Sequence, residues 1–363
     1  MKIKDLRRGQ KSPKGDVGIE LEMEGANLPF FGEQRREPNT ISEHWSIVTD
    51  GSLRDGAEYI LTRPVETKDV PIALEEMEKM MKDARSKPFY SLRTSSHIHI
   101  NVNELEYDEV MNYIYLYGLV ENIITKMCGR SRLGNRFCLR LSDAEGAIDS
   151  ICNLIQMRKH GGRRFYDLLN EERMKYAAIN VAVLYKYGSL EFRAMEGTND
   201  WPKLLIWIST LLSLRNAAKT YKDIGEIFDD LNKLGAKDFF YKILGKNAEH
   251  HWNNVAENEL ATAASITYDF VLTSQRNVPV AELKDDEEEP DDFGMLRILN
   301  DEKHALRAHP YKGGYRFEGT RAQQLPWLFH IVEVRSDAAY GHFYWAAGVA
   351  VFEAYHQHIQ GAI

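Results

Sequence analysis

The chain has 363 residues, of which 44% are hydrophobic and 28% charged, a composition typical of a globular protein with one or two domains. Its formal net charge of −8 argues against general nucleic-acid binding and against binding to anionic membranes. Three cysteines without a CxxC spacing do not indicate a disulfide framework or a cysteine zinc site, so a reducing cytoplasm is the expected setting. The basic N-terminus lacks the apolar core of a secretory signal, and the longest apolar run, 204–214, is shorter than the roughly 20 residues of a membrane span.

The first informative element is an acidic strand predicted at 18–25, where apolar and acidic residues alternate strictly. As a strand, this segment sends its apolar residues to one face and Glu20, Glu22 and Glu24 to the other. Successive carboxylates then lie about 6.6 Å apart, and hard cations such as Mg²⁺ bind between oxygens of this kind. A solvated acidic face on an edge strand explains the same pattern, and the segment alone does not separate the two interpretations.

Two further strands add polar candidates. The segment 56–61 is predicted to be a strand that carries Glu58. The segment 95–102 alternates in the same way and places His97 and His99 on its polar face. Both histidines are candidate contacts for a metal ion or a phosphate group, and a hydrogen-bonded pair without a ligand is the alternative.

Much of the remaining pattern is helical. The apolar spacing predicts helices at about 71–86, 108–127, 201–218, 221–234 and 254–274. Two strands, 176–184 and 188–195, joined by a turn at 185–187, are predicted between the second and third of these helices. Glu191 and Arg193 share one face of the second strand, and a salt bridge to a neighbouring strand is the simpler explanation of that pair.

Charged segments occur in three places. Two basic loops, 130–136 and 160–164, combine arginine with glycine and are candidate phosphate contacts, although neither has a Walker or Rossmann spacing. The acidic run 284–292 is predicted to be a solvated linker. The aromatic and histidine-rich tail, 293–363, is expected to be an accessory helical segment or an interface between copies of the chain.

Four short motifs follow one another along the chain: Glu-x-Glu at 20–22, Gly-Ala-Glu-Tyr-Ile at 56–60, His-x-His at 97–99 and Glu-x-Arg at 191–193. An Arg-x-x-Tyr-x-x-x-Asn stretch at 173–180 precedes the last motif. In this order, the series resembles the glutamine synthetase-like carboxylate-amine ligases, and most closely their phage and bacterial amidoligase branch.

The resemblance covers about residues 15–220 and implies an α+β fold. In that fold a curved antiparallel β-sheet forms an open barrel like the catalytic domain of glutamine synthetase, flanked by helices. We therefore predict an amidoligase-like catalytic domain at 1–220 and a mostly helical accessory region at 221–363 packed on it, with the acidic linker near 284–292. The chain lacks the long loops that bind ammonia and glutamate in glutamine synthetases, so those two substrates are not expected.

The family motifs also imply roles for individual residues. The implied ligands of two or more Mg²⁺ ions, with Mn²⁺ as an alternative, are Glu20, Glu22, Glu58, His97 and Glu191. The implied catalytic residues are Arg193, Arg173 and Glu58. The implied contacts to ATP are His99, Arg136, Lys175 and Asn180. Glu24 is a candidate base for the attacking amine.

By this resemblance the chain is an ATP-dependent ligase that activates a carboxylate as an acyl phosphate, which an amine then attacks. Its expected partners are small-molecule or peptide carboxylates and amines, with no membrane and no general nucleic-acid binding, and the aromatic tail is a candidate homo-oligomer interface. Three alternatives stay open: a phosphotransferase of the same fold acting on a guanidino group, a Mg²⁺-dependent nuclease that needs no ATP, and a binding or structural protein that retains the fold.

Overall fold

The structure is a computed structural model that describes residues 1–7, 12–157, 176–275, 307–311 and 314–318. The chain forms two compact units, Met1–Leu283 and Lys284–Ile363. The predicted basic loop at 160–164 and the acidic linker at 284–292 lie outside the described residues.

An antiparallel sheet of eight strands organises the first unit. Its strands are β1 (Val17–Ala26), β2 (Asn39–Thr40), β3 (Trp45–Val48), β4 (Gly56–Leu61), β5 (Lys87–Phe89), β6 (Ser95–Asn101), β7 (Ile179–Asn180) and β8 (Ser189–Glu196). Their order is β2-β3-β4-β1-β6-β8-β7, and β5 pairs with the end of β1. In the described part of the chain the sheet is open, with β2 and β7 at its edges. The predicted α+β class with a helix-flanked antiparallel sheet is confirmed, while the glutamine synthetase-like barrel stays a prediction.

The central strand, β1, lies between β4 and β6 and fixes the register of both. A slip of one residue would turn its apolar side chains away from the core, so the strict alternation of this strand specifies a single pairing. In that pairing Glu22 lies opposite Glu58, and Glu20 lies opposite His97. The register alone therefore brings together residues that are far apart in sequence.

Ten helices are described. They are α1 (Ile3–Leu6), α2 (Val70–Asp83), α3 (Tyr107–Ile124), α4 (Glu145–Met157), α5 (Val183–Tyr187), α6 (Trp201–Ala218), α7 (Ile224–Leu234), α8 (Ala236–Leu244), α9 (Ala256–Ile266) and α10 (Tyr268–Gln275). The start of α6 is as predicted, because the Asp200 side chain accepts a hydrogen bond from the Lys203 amide at 3.1 Å and Pro202 lies in the first turn. Among these helices, none is both long and apolar enough to cross a bilayer.

The apolar face of the sheet packs against helices α2, α3 and α6. Trp45 of β3 donates from Nε1 to the carbonyl of Ala73 in α2 at 2.8 Å. Phe192 of β8 contacts Tyr113 and Tyr117 of α3, with ring centroids 5.5 and 5.0 Å apart. Since side chains alternate between the two faces of a strand, the acidic and imidazole side chains lie on the side of the sheet away from these helices.

The predicted strand at 176–184 is wrong over most of its length. Only Ile179–Asn180 pairs with β8, and Val183–Tyr187 forms the short helix α5 instead of a strand and turn. The Asn180 side chain accepts a hydrogen bond from the Ala182 amide at 2.9 Å, a local contact that turns the chain away from the sheet. Gly188, with φ 66°, then returns the chain into β8.

Two other expectations differ from the structure. The helix predicted at 254–274 is two helices, α9 and α10, separated at Thr267. In the second unit, β9 (Arg307–Tyr311) and β10 (Gly314–Glu318) pair antiparallel, within a tail expected to be an accessory helical segment or an interface. Aromatic residues such as Tyr315 and Phe317 favour the extended conformation.

Candidate active site

The polar face of β1, β4, β6 and β8 gathers all five predicted metal ligands. Three groups of side chains have ligand atoms within 4.8 Å of one another: Glu20–His99–Glu191, Glu20–Glu58–His97 and Glu22–Asp50–Glu58. Neighbouring groups share Glu20 or Glu58, so the seven side chains form one continuous cluster, which we call the carboxylate cluster. Its oxygen-rich donor set with imidazole nitrogens suits Mg²⁺ or Mn²⁺.

His97 is buried at the centre of the carboxylate cluster. Its Nδ1 lies 3.0 Å from Glu20 Oε2 and 3.4 Å from Glu191 Oε1. Its Nε2 lies 2.8 Å from Ser95 Oγ. The Ser95 hydroxyl donates its one proton to Glu22 at 2.5 Å, so the ring must donate from Nε2 to Ser95. Nδ1 then faces two carboxylates, and a cation bound between them would offset their repulsion.

Glu20 is the carboxylate that both histidines contact. Its Oε1 lies 3.1 Å from Nε2 of His99, whose Nδ1 lies 3.1 Å from Ser189 Oγ. Burial raises the pKa of Glu20, but His99 and His97 outweigh burial and hold that pKa well below its usual range. Burial likewise lowers the pKa of His99, and the Glu20 carboxylate raises it on balance. Glu20 is therefore a fixed anion in the cluster.

Glu58 has the opposite electrostatic state. Burial raises the pKa of Glu58 to about 9, and the carboxylates of Glu20, Glu22 and Asp50 add to the effect. Burial also raises the pKa of Glu22. A carboxyl group that stays protonated at neutral pH among other carboxylates marks a site short of positive charge. A divalent cation supplies that charge, so the residues present fit a metal site.

Glu191, which is 4% exposed, is held from two sides. It forms an ion pair with Arg193 on the same face of β8, and it accepts a hydrogen bond from Asn180 Nδ2 at 2.6 Å. The β7–β8 register places Asn180 opposite Glu191, which explains the contact. Asn180 therefore orients a candidate metal ligand, and its predicted contact to ATP stays a prediction.

Three other residues were predicted to act in catalysis or to contact ATP. Arg173 and Lys175 lie outside the described residues. Arg136 is exposed, and its guanidinium lies 4.9 Å from the ring centroid of Phe137. Their roles in catalysis and ATP binding stay predictions.

Asp50 joins the cluster although sequence reasoning assigned it only to a turn. Val48 of β3 pairs with Glu58, and Asp50, two residues further on, lies on the same side of the sheet. Its Oδ1 accepts a hydrogen bond from the Ser52 amide at 2.6 Å, so Asp50 also holds the turn. The sequence signal that could have identified Asp50 is its position two residues after Val48, the β3 residue that pairs with Glu58.

Glu24, the candidate base, has a structural contact, and its role as a base stays a prediction. It is 5% exposed and accepts a hydrogen bond from the Arg54 amide at 2.6 Å. This contact fixes the turn that follows Asp50, so Glu24 supports the position of a cluster carboxylate.

The basic loop 130–136 contacts the end of β8 through Glu196. Ser131 Oγ donates to Glu196 Oε2 at 3.1 Å, and Lys203 Nζ donates to Glu196 Oε1 at 2.8 Å. Gly129, with φ 103°, begins the loop, and a Cβ at this position would lie 1.8 Å from Glu196 Oε2. Only glycine fits there, so the position of the loop depends on it.

Replacing Gly129 with alanine is expected to lower the free energy of unfolding by about 3 kcal/mol, because backbone strain of about 1–3 kcal/mol adds to the displacement of Glu196 from its partners. Urea denaturation measures the loss. Gly134→Ala is the matched control, since Gly134 also has a positive φ of 67° but open space around it. It is expected to cost about 1 kcal/mol. Equal losses in the two variants would show that the contact with Glu196 does not matter.

A family comparison decides the assignment of the chain. A protein-family model described as "Putative amidoligase enzyme" matches residues 13–215, more than half of the sequence. The chain belongs to this amidoligase family. The matched region contains the whole carboxylate cluster of the amidoligase, together with Arg193 and the basic loop. Comparison with curated proteins finds no match.

The family assignment confirms the resemblance drawn from the four ordered motifs and indicates a ligase-type enzyme. In the amidoligase the four motifs lie on four strands, β1, β4, β6 and β8, which are neighbours in the order β4-β1-β6-β8. Their order along the chain and their adjacency in the sheet together account for the candidate site.

Proposed function

We propose that this amidoligase is an ATP-dependent, Mg²⁺-requiring carboxylate-amine ligase that forms an amide through an acyl phosphate. The observation that carries the proposal is the carboxylate cluster, a set of buried and half-buried acidic and imidazole side chains that is short of positive charge, in a chain of a ligase-type family. The proposed substrates are a small-molecule or peptide carboxylate and an amine.

The overall reaction balances as two transfers. The carboxylate oxygen attacks the γ-phosphorus of ATP and releases ADP, and the amine then attacks the acyl carbon and releases inorganic phosphate. The first transfer brings two anions together, the carboxylate and the γ-phosphoryl group, so the site must supply positive charge, and in the second the attacking amine is neutral and gives up a proton as the amide forms.

The residues that would hold metal ions are Glu20, Glu22, Asp50, Glu58, His97, His99 and Glu191. Bound there, Mg²⁺ or Mn²⁺ would neutralise phosphate oxygens and so lower the repulsion between the two anions. Ser95 and Asn180 would keep Glu22 and Glu191 oriented toward the ions, since each donates a hydrogen bond to one of these carboxylates.

Arg193 would supply the positive charge that the metal ions do not. Its guanidinium lies beside Glu191, and its Nε also donates to the Phe137 carbonyl at 3.4 Å. Burial lowers the pKa of Arg193, but Glu191 and other cluster carboxylates raise it on balance, so it keeps its charge. A fixed cation at the border of the cluster is suited to stabilise charge that develops on phosphoryl oxygens.

Product analysis tests the proposal. The full chain is incubated with Mg²⁺ and ATP and with pairs drawn from panels of carboxylates and amines, and ADP release is measured together with product mass. We expect ADP release that requires both substrates, and a product whose mass equals acid plus amine minus water. A phosphorylated amine or guanidino compound would assign the chain to phosphotransfer instead. ADP release that no carboxylate stimulates, from protein that binds Mg²⁺ and ATP, would contradict ligase activity.

A further inference from the structure

Arg132, in the basic loop, is a buried cation whose hydrogen-bonding capacity is mostly unused. Arg132 is only 4% exposed. Nη2 donates to the carbonyl of Arg193 at 2.8 Å, whereas Nε and Nη1 have no hydrogen-bond partner in the described part of the chain. Buried polar groups are almost always hydrogen-bonded, and a buried charge is normally paired. The unmet donors of Arg132 therefore require a partner.

The position of Arg132 shows where that partner would lie. The basic loop packs against β8 at Arg193. Arg132 donates a hydrogen bond to the Arg193 carbonyl, and the carbonyl of Phe137, just after the loop, accepts a hydrogen bond from Arg193 Nε. Burial lowers the pKa of Arg132, Cys138 and Glu22 act in the opposite direction, and Arg193 lowers it further, so these three side chains are close enough to interact with it. Arg132 thus lies near both Glu22 of the carboxylate cluster and Arg193.

Neither neighbouring carboxylate supplies the missing contact. Glu191 pairs with Arg193, and Glu22 accepts its hydrogen bond from Ser95. Of the two guanidinium groups, only Arg193 is paired with a carboxylate, so Arg132 has no anion in contact with its free donors in the described part of the chain. An anion bound there would satisfy the free donors and reduce the repulsion between the two arginines.

We propose that Arg132, together with Arg193, binds an oxyanion of the ligand, either the terminal phosphoryl group of the nucleotide or the carboxylate of the substrate. Both groups offer several oxygens that accept from a guanidinium. The choice between these two sources rests on the proposed function, whereas anion binding itself does not. Arg130 and Arg136 in the same loop are exposed, so burial singles out Arg132.

Calorimetry with wild-type protein, Arg132→Gln and Arg130→Gln tests the inference. The probes are inorganic phosphate, Mg²⁺ with ADP, Mg²⁺ with a non-hydrolysable ATP analogue, and the small carboxylates acetate and succinate. We expect Arg132→Gln to weaken at least one oxyanion probe by about tenfold to a hundredfold. Arg130→Gln removes the same charge from an exposed position of the same loop and is expected to bind all probes within about twofold of wild type.

The pattern across probes separates the two sources. A loss confined to the ATP analogue and phosphate, with ADP unaffected, assigns Arg132 to the terminal phosphoryl group, and a loss confined to acetate and succinate assigns it to the carboxylate. If wild type binds phosphate through Arg132 but binds no nucleotide, the inference stands and the proposed function fails. Wild-type affinity of Arg132→Gln for every probe, or no oxyanion binding by wild type, overturns the inference.

Thermal melting of the ligand-free proteins shows whether a loss of oxyanion affinity comes from a loss of folding stability. Since the guanidinium is largely unpaired, Arg132→Gln is expected to melt at the wild-type temperature or above it. A marked fall in melting temperature, with oxyanion affinity kept, would show a purely structural role. Arg132→Lys, which keeps the charge but loses the planar donors, is expected to bind the responsive probe with intermediate affinity.

Discussion

Replacing Glu20 with glutamine is expected to abolish measurable Mg²⁺ binding and to reduce amide formation by at least about a hundredfold. Glu20 belongs to two of the three groups in the carboxylate cluster and lies within hydrogen-bond distance of both His97 and His99. Glutamine keeps the size of the side chain but removes the charge that binds the cation. Calorimetry with Mg²⁺ and the rate of ADP release measure the two effects.

Glu66→Gln is the control for this substitution. Glu66 has a 62% exposed side chain, pairs with Lys68 at 2.9 Å and is not a member of the cluster. This variant is expected to bind Mg²⁺ and to turn over like wild type. If Glu20→Gln binds Mg²⁺ as tightly as Glu66→Gln does, the cluster is not the metal site.

Mg²⁺ binding near neutral pH is expected to release about one proton, and Glu58→Gln is expected to remove that release. Burial and the neighbouring carboxylates raise the pKa of Glu58 from 4.5 to about 9, so the free site carries a proton that a cation must displace. The affinity for Mg²⁺ should therefore rise with pH up to about pH 9. Calorimetry in two buffers of different ionisation enthalpy gives the number of protons released when Mg²⁺ binds. An equal number in wild type and Glu58→Gln would contradict the assignment of the released proton to Glu58.

The same carboxyl group makes the stability of the metal-free protein depend on pH. The folded pKa of Glu58 is above the unfolded value, so the folded state binds the extra proton. Its contribution to stability is complete below about pH 4.5 and is lost as the pH rises toward about 9, by at most about 1.4 kcal/mol per pH unit. Urea denaturation at pH 5.5 and pH 8 should show a smaller difference for Glu58→Gln than for wild type, and saturating Mg²⁺ should narrow the wild-type difference.

The sequence predicted those parts of the site that depend on strand alternation. Glu20 and Glu22 were assigned to one face by the alternation of β1 alone, and pairing of β1 with β4 and β6 then places Glu58 and His97 beside them. Alternation is a local property, and a strand with one buried face has one stable register. These positions could therefore be inferred without coordinates.

Other parts of the site depend on contacts that no local pattern reveals. Asp50 was assigned to a turn because Asp-Gly is a strong turn signal, which says nothing about which strand the carboxylate faces. Arg136 was predicted to contact ATP and Arg132 was not singled out, because the two arginines of one basic loop differ in burial only when the loop folds against β8. The helix α5 was missed because a single side-chain contact from Asn180 ends β7.

Strand β8 carries an acid and a base, Glu191 and Arg193, that neutralise each other two residues apart. A cation bound to Glu191 would neutralise the carboxylate that pairs with Arg193. The Arg193 guanidinium would then attract an anion more strongly. By the reciprocity of linked equilibria, the anion strengthens the cation to the same extent. We expect this one strand to make metal and oxyanion bind cooperatively, so that an enzyme loaded with only one of them is a minor species.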